Sequence, residues 1–345
     1  MAELDSAQAA AAAKLLELIF IQRISQAIHV AAALGIADLI ADEPKSAEQL
    51  AQATGVQAAS LRRVMRTLAG FGVFAEEGAD RFALTPIGEF LKAGVLGSLR
   101  PAALFFGGED AAQAEGLLLH CVKTGETAYE KLYGKSDALF ERFQKDPVAA
   151  ELFNATMTGF STLHLTGVLD AYDFSTIKKL VDVGGGHGRN IAEILKRHPK
   201  MRGVLFDMPH AFEGGKKTIA QAGFSDRCEV VSGDFFKAVP NGADAYLLSR
   251  VIHDWDDKTS IAILKIVRNA IAPDGRLLLL ETMLRPGQRS LYPLLSDLNM
   301  MLRTGGCERT EEEYRTIYRA AGFELTRTVE TISPTGATIV EGKPV

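Results

Sequence analysis

Residues 249–257 read SRVIHDWDD and follow ADAYLLS, an apolar run with the texture of a buried strand. His253 thus stands just past a strand end, flanked by Asp254, Asp256 and Asp257 and by Trp255, the single tryptophan of the chain. A second constellation lies upstream, where LVDVGGGHGRN (residues 180–190) ends another strand-like run. Glycines there allow a sharp turn and let a ligand approach the backbone. The spacing is GxGxG through Gly184, Gly186 and Gly188, with Arg189 where a dinucleotide fingerprint needs its third glycine. Asp182, two residues before the first glycine, would repel a pyrophosphate and attract an ammonium group. Asp207 ends the next strand in FDMPH, about 20 residues on, where an acid can accept hydrogen bonds from both ribose hydroxyls. Asp234 in GDFF follows the third strand, positioned for an adenine amino group, with Phe235 for the ring face. Amino acid, ribose and adenine together describe S-adenosylmethionine.

The elements that must position these residues alternate. From residue 179 the runs KLVDVG, RGVLFDM, CEVVSGDF, DAYLLSRV and RLLLLETM alternate with helical stretches, which predicts a parallel sheet with helices on both faces. Ligands of such sheets bind at the carboxyl ends of the strands, where the acids and glycines fall. FELTRTVE and ATIVEG are separated only by TISPTG, a gap short enough for an antiparallel pair closing the sheet. Residues 100–170 read as helical. Residues 45–93 read as helix, turn, helix and hairpin, a winged-helix pattern, with Thr85-Pro86 opening a further helix. Arg62, Arg63 and Arg66 lie on its second helix, where a DNA reader carries its contacts. Residues 1–100 hold nine Lys+Arg against eleven Asp+Glu, or −2, which opposes that use.

The chain of 345 residues has length for about two domains, and 47% hydrophobic with 23% charged residues suits a globular protein. The stretch from Lys14 to Ile40 reads as an amphipathic helix too often interrupted by charge to span a bilayer. No basic segment opens the chain, and Cys121, Cys228 and Cys307 lie too far apart for a metal-ligand motif, so a reduced, cytoplasmic protein is expected.

The stretches LVDVGGGHG, FDMPH, GDFFKAVPNGADAYLLS, VIHDWDD and GGCERTEEEY resemble the plant caffeic-acid-type O-methyltransferases and their bacterial relatives, over almost the whole chain. The resemblance implies an α/β fold: a seven-stranded Rossmann-like methyltransferase domain at 171–345, a winged-helix dimerisation domain at 1–100, and a helical linker at 101–170 that contributes to the substrate pocket. It implies S-adenosylmethionine as cofactor, a small hydroxylated aromatic acceptor, a homodimer built by the N-terminal domain, and neither nucleic acid nor membrane as partner. His253 maps onto the family's base, and Glu281 and Glu308 onto the carboxylates that hold its ring. The chemistry is coherent, because a phenol of pKa ~10 is mostly protonated at neutral pH and a neutral imidazole against it can take the proton as the methyl moves. Asp254, Asp256 and Asp257 are read as caps of the helix beginning near 256, with no metal.

Ser249 stands where plant members have a lysine near the cofactor, Arg250 where they have an aromatic substrate contact, and Cys307 where they have a basic residue. One pocket wall maps onto Phe153 and Met157, with Phe160 one turn on, and the other onto Leu298, Asn299 and Arg303. These walls suggest a flat, apolar acceptor with a polar contact to Arg303 or Arg250. Two alternatives remain at this stage: a relative that binds the cofactor but catalyses hydroxylation, decarboxylation or a pericyclic step, and a winged-helix regulator.

Overall fold

The structure, a computed structural model, describes residues 5–78, 80–134, 146–288 and 290–345. The chain divides into two compact units, Met1–Ala112 and Gln113–Val345. The stretch 101–170 does not form one linker between them: helix Arg100–Gly107 belongs to the first unit, and the helices from Leu118 onward belong to the second.

In the first unit Ser46 caps the helix Ala47–Thr54, with Gln49 returning the hydrogen bond in a capping box, and Gly55 ends it at a left-handed φ of 71°. The next helix, Ala58–Gly70, buries Leu61, Met65 and Leu68. β1 (Lys45–Ser46), β2 (Phe74–Glu77) and β3 (Arg81–Leu84) form an antiparallel sheet in the order β1-β3-β2. The helix expected after Thr85-Pro86 is only a 3₁₀ turn at Gly88–Leu91, with the Thr85 hydroxyl accepting from the Gly88 N–H at 3.1 Å. The single long N-terminal helix is also corrected: the stretch runs through three helices, Ser6–Ile19, Gln22–Ala33 and Ile36–Leu39, the first two bent by 43°. The first buries no residue and presents Leu15, Leu16, Leu18 and Ile19 to solvent. Among the described residues no single helix is long and apolar enough to cross a membrane.

The second unit is built on seven strands: β4 (Lys179–Val183), β5 (Arg202–Asp207), β6 (Cys228–Ser232), β7 (Ala245–Ser249), β8 (Arg276–Thr282), β9 (Phe323–Glu330) and β10 (Ala337–Pro344). Their order is β6-β5-β4-β7-β8-β10-β9, with β4 to β8 parallel and β10 antiparallel to both its neighbours. The central strands are buried on both faces, which is why LVDV, YLLS and LLLL read as continuous apolar runs. Val181, Tyr246 and Leu279 pack into one face's core, and Leu180, Leu247 and Leu278 into the other's. The strand order reverses at β4, where β5 lies on one side and β7 on the other, so a crevice opens at the carboxyl ends of those strands.

Candidate functional site

A cavity of about 300 Å³ occupies that crevice. Gly184 and Gly186 line it from the end of β4, Asp207 from the end of β5, Phe235 from beyond β6, and Ser249 and Arg250 from the end of β7. Phe153 and Met157 line it from the helix Pro147–His164. Gly184 and Gly186 hold left-handed φ values of 69° and 55°, so a side chain at either would be strained. Asp207 takes the Gly186 N–H on Oδ2 and its neighbour Met208's N–H on Oδ1, each at 2.6 Å. A loop N–H already given to a carboxylate is a poor phosphate cradle.

Other expected residues lie off this wall. Asp182 sits beneath the loop, its carboxylate 2.7 Å from where a Cβ on Gly185 would be. Burial, with Asp207 adding repulsion, pushes its pKa up to about 7, so it is no fixed negative charge waiting for an ammonium group. Asp234 pairs with the exposed Lys237 at 3.0 Å, accepts the Phe236 N–H at 2.9 Å and is not among the residues that line the cavity. Phe160 lies under Arg250, whose guanidinium carbon is 5.2 Å from the ring centroid. Leu298 is 43% exposed. Asn299 and Arg303, one turn apart on the helix Leu291–Arg303, bond each other at 2.6 Å, and Arg303 also donates to the Tyr129 hydroxyl at 2.8 Å. Arg303 is thus bonded to its own neighbours, whereas Arg250 lines the cavity.

His253, Glu281 and Glu308 do come together. Their ligating atoms lie within 4.8 Å of one another, and all three residues are buried. His253 rides on a short 3₁₀ turn, Ile252–Asp254. Its Nδ1 is 3.0 Å from Glu308 Oε1 and 4.0 Å from Glu281 Oε2. Nδ1–H donating to Glu308 leaves Nε2 on the other side of the ring, 3.8 Å from Asp254 Oδ1, and Asp254 lines the cavity. Glu281 works mainly on the backbone: Oε1 accepts the N–H groups of Val251 and Ile252 at 3.2 and 2.9 Å. Burial alone would lower the His253 pKa, but Glu308, Asp254 and Glu281 outweigh it and hold it at about 9. The surrounding carboxylates therefore favour the protonated ring over the neutral imidazole expected from sequence. Burial would raise Glu308, yet His253 beside it, and the hydrogen bonds from His253 and Ser296, hold it below the usual carboxylate range. Burial pushes Glu281 up to about 7.

Sequence reasoning missed several residues that hold this turn. Asp254 is no helix cap; that role falls to Asp256, which accepts the Thr259 N–H at 2.8 Å. Trp255 packs edge-on against Phe236 at 4.9 Å and lines the cavity as well as the turn. Ser296 donates to Glu308 Oε1 at 2.6 Å. Arg309, fully buried, donates to the carbonyls of Ile252 and Trp255 at 3.2 and 2.7 Å and pairs with Asp257 at 2.9 Å. Its place next to Glu308 in CERT was the available signal. Gly306 lies so close that a Cβ there would stand 2.0 Å from the His253 carbonyl oxygen.

A family profile of O-methyltransferase domains matches residues 117–324, and one of O-methyltransferase dimerisation domains matches residues 16–94. The chain belongs to the S-adenosylmethionine-dependent O-methyltransferases. A phenazine O-methyltransferase, PhzM, of Lysobacter antibioticus is 43% identical over 331 residues, which cover 96% of each chain. The crystal structure of LaPhzM superposes with a TM-score of 0.89 at 43% identity, covering 97% of this chain and 99% of that one. The O-methyltransferase NcsB1 from neocarzinostatin biosynthesis, solved with S-adenosylmethionine and 2-hydroxy-5-methyl naphthoic acid, has a TM-score of 0.78 at 31% identity, covering 93% and 96%. The methyltransferase uses S-adenosylmethionine.

Proposed function

We propose that this O-methyltransferase methylates a hydroxyl of a small aromatic acceptor, with His253 as the general base. The observation that carries the reading is the His253–Glu308 hydrogen bond of 3.0 Å beside a cavity that also presents the glycine loop and Asp207. S-adenosylmethionine, when bound, supplies an electrophilic sulfonium methyl group. Asp207 holds its ribose, the loop at Gly184 and Gly186 lets it approach the backbone, Phe235 packs on the adenine, and Ser249 borders it from β7. Phe153 and Met157 give the acceptor an apolar wall. Glu308 fixes the Nδ1–H tautomer, so that Nε2 takes the hydroxyl proton, and its charge stabilises the imidazolium that results. Glu281 fixes the backbone on which the ring sits. Held at about 9, the His253 pKa makes a strong base for a phenol of ~10, but one that must first lose its own proton.

The first unit serves as a homodimerisation domain. The bare apolar helix Ser6–Ile19 supports this, as does the dimerisation profile. A regulator's DNA contacts are poorly served, since Arg62 is bonded to Glu48 and Asp80 and Arg66 pairs with Glu76 at 3.0 Å. The test is transfer of a labelled methyl group from S-adenosylmethionine to a panel of hydroxylated aromatics, with mass spectrometry of the product. An O-methyl ether from at least one phenol is expected. Methylation only at nitrogen or carbon across the panel would overturn the assignment to oxygen.

A further inference from the structure

Arg250 is one of only two non-glycine residues among the described ones with a positive φ, at 56°. A non-glycine residue in this region costs free energy and persists only where its surroundings hold it. Here they do: its N–H donates to the Leu280 carbonyl at 3.1 Å, and the next two N–H groups are taken by Glu281. The side chain so placed lines the cavity. A guanidinium carries five N–H donors. Among the described residues, Arg250 has no carboxylate within ion-pair distance. Its polar partner is the Tyr292 hydroxyl, 3.3 Å from one terminal nitrogen, and its flat face lies 5.2 Å over Phe160. Of the nearby acids, Glu308 is bonded to His253 and Ser296 and Glu281 to two backbone N–H groups, while Asp254 shares the cavity wall, 3.8 Å from His253 Nε2 and outside ion-pair distance of Arg250. A half-buried cation with spare donors, facing a cavity whose neighbouring wall is Phe153 and Met157, matches one kind of ligand group: a carboxylate on a flat apolar ring.

We propose that the acceptor is an aromatic acid whose carboxylate pairs with Arg250, while the same turn, three residues on, brings His253 to its hydroxyl. This rests on the O-methyl-transfer reading above. A carboxylate in this cavity has two sources, the acceptor or the methionine end of the cofactor. The proposal assigns it to the acceptor, because Arg250 lies over Phe160, on the helix that also carries Phe153 and Met157.

The test compares a hydroxylated aromatic acid, such as a hydroxynaphthoate, with its carboxamide. On the wild type, kcat/KM for the acid should exceed that for the amide by about 10- to 100-fold, the worth of hydrogen bonds to a charged group. Arg250→Met should abolish that preference, mainly through KM, while the Kd for S-adenosylmethionine stays within about twofold. Arg250→Lys should keep part of it, since the charge remains and the planar fork is lost. Calorimetry of acid and amide against the enzyme saturated with S-adenosylhomocysteine needs no turnover, so it reads the pairing even if methyl transfer to oxygen proves wrong. Equal binding of acid and amide by the wild type would overturn the proposal. So would a folded Arg250→Met that keeps the preference. A weakened cofactor Kd with acceptor preference intact would move the carboxylate to the cofactor and overturn it as well. Should Arg250→Met not fold, the wild-type comparison and Arg250→Lys still decide.

Discussion

The proposed chemistry turns on one imidazole and the charges around it. Because Glu308, Asp254 and Glu281 hold the His253 pKa at about 9, the base form is scarce at neutral pH. Two units below its pKa, about 1% of the ring is neutral. Below pH 9, kcat/KM should therefore rise close to tenfold per unit, and it should level off near 9. Glu308→Gln removes the closest carboxylate, so the midpoint of that profile should move to lower pH while the maximal rate falls. A midpoint unmoved by this change would detach the profile from His253. The linkage to stability has a definite sign. A histidine whose folded pKa is raised contributes stability that is fully present below about 6.5 and is lost as pH rises through about 9. Melting temperatures should thus fall on the alkaline side of neutrality, and less so in Glu308→Gln. Asp207 is the other decisive residue. Asp207→Ala should weaken S-adenosylmethionine binding by about 1–3 kcal/mol by calorimetry, since two ribose hydroxyls lose a charged acceptor. Unchanged affinity would mean that the carboxylate serves only the loop N–H groups of Gly186 and Met208.

At the scale of elements, the site is a turn clamped from behind. Glu281 at the end of β8 takes two N–H groups of the His253 turn, and Arg309 takes two of its carbonyls. Arg309→Met takes the charged donor from the Ile252 and Trp255 carbonyls and leaves them the Ser260 hydroxyl and, on Ile252, the Trp255 N–H, so it should cost about 1.5–3 kcal/mol, measurable by urea denaturation. Gly306→Ala forces a Cβ against the His253 carbonyl oxygen, so it should lower kcat and leave cofactor affinity unaffected. A Gly306→Ala enzyme with full turnover would show that the turn tolerates displacement. These contacts explain what the sequence could and could not reveal. The β4 to β8 runs were legible because strands buried on both faces are continuously apolar. Gly184, Gly186 and Asp207 were placed at the crevice by strand-end position alone, and they do line the cavity. Asp182 and Asp234 fall off the cavity lining because position at a strand end does not say which way a side chain points. Arg309, Ser296 and Gly306 act across gaps of more than ten residues, and no local pattern marks such a contact. The pKa of His253 was equally hidden, being a sum over three carboxylates that only the fold assembles.

At the scale of the molecule, each unit carries a separate task. The second unit holds the whole cavity and the His253 cluster. The first holds its own core, centred on Leu50, Leu61, Met65 and Phe82, and still leaves the helix Ser6–Ile19 without a buried residue. Leaving Leu15, Leu16, Leu18 and Ile19 in water is unfavourable, and a second copy of the chain is the cover the dimerisation profile indicates. Light scattering should give a dimer at micromolar concentration, with more than ~2,000 Å² buried in total. Leu15→Asp with Ile19→Asp should shift it towards monomer, and a wild-type monomer would contradict the assignment. The account as a whole stands on His253 taking the acceptor's proton, and one comparison reads that step directly. Wild type and His253→Ala are assayed with two acceptors of similar shape, an ordinary phenol and a nitrophenol-like one with a pKa near 7. The variant should lose about 10²- to 10⁴-fold in kcat on the ordinary phenol, and clearly less on the acidic one, which ionises without help. Equal losses on both acceptors, with the variant folded and its cofactor affinity intact, would contradict the base assignment and leave His253 a positioning residue.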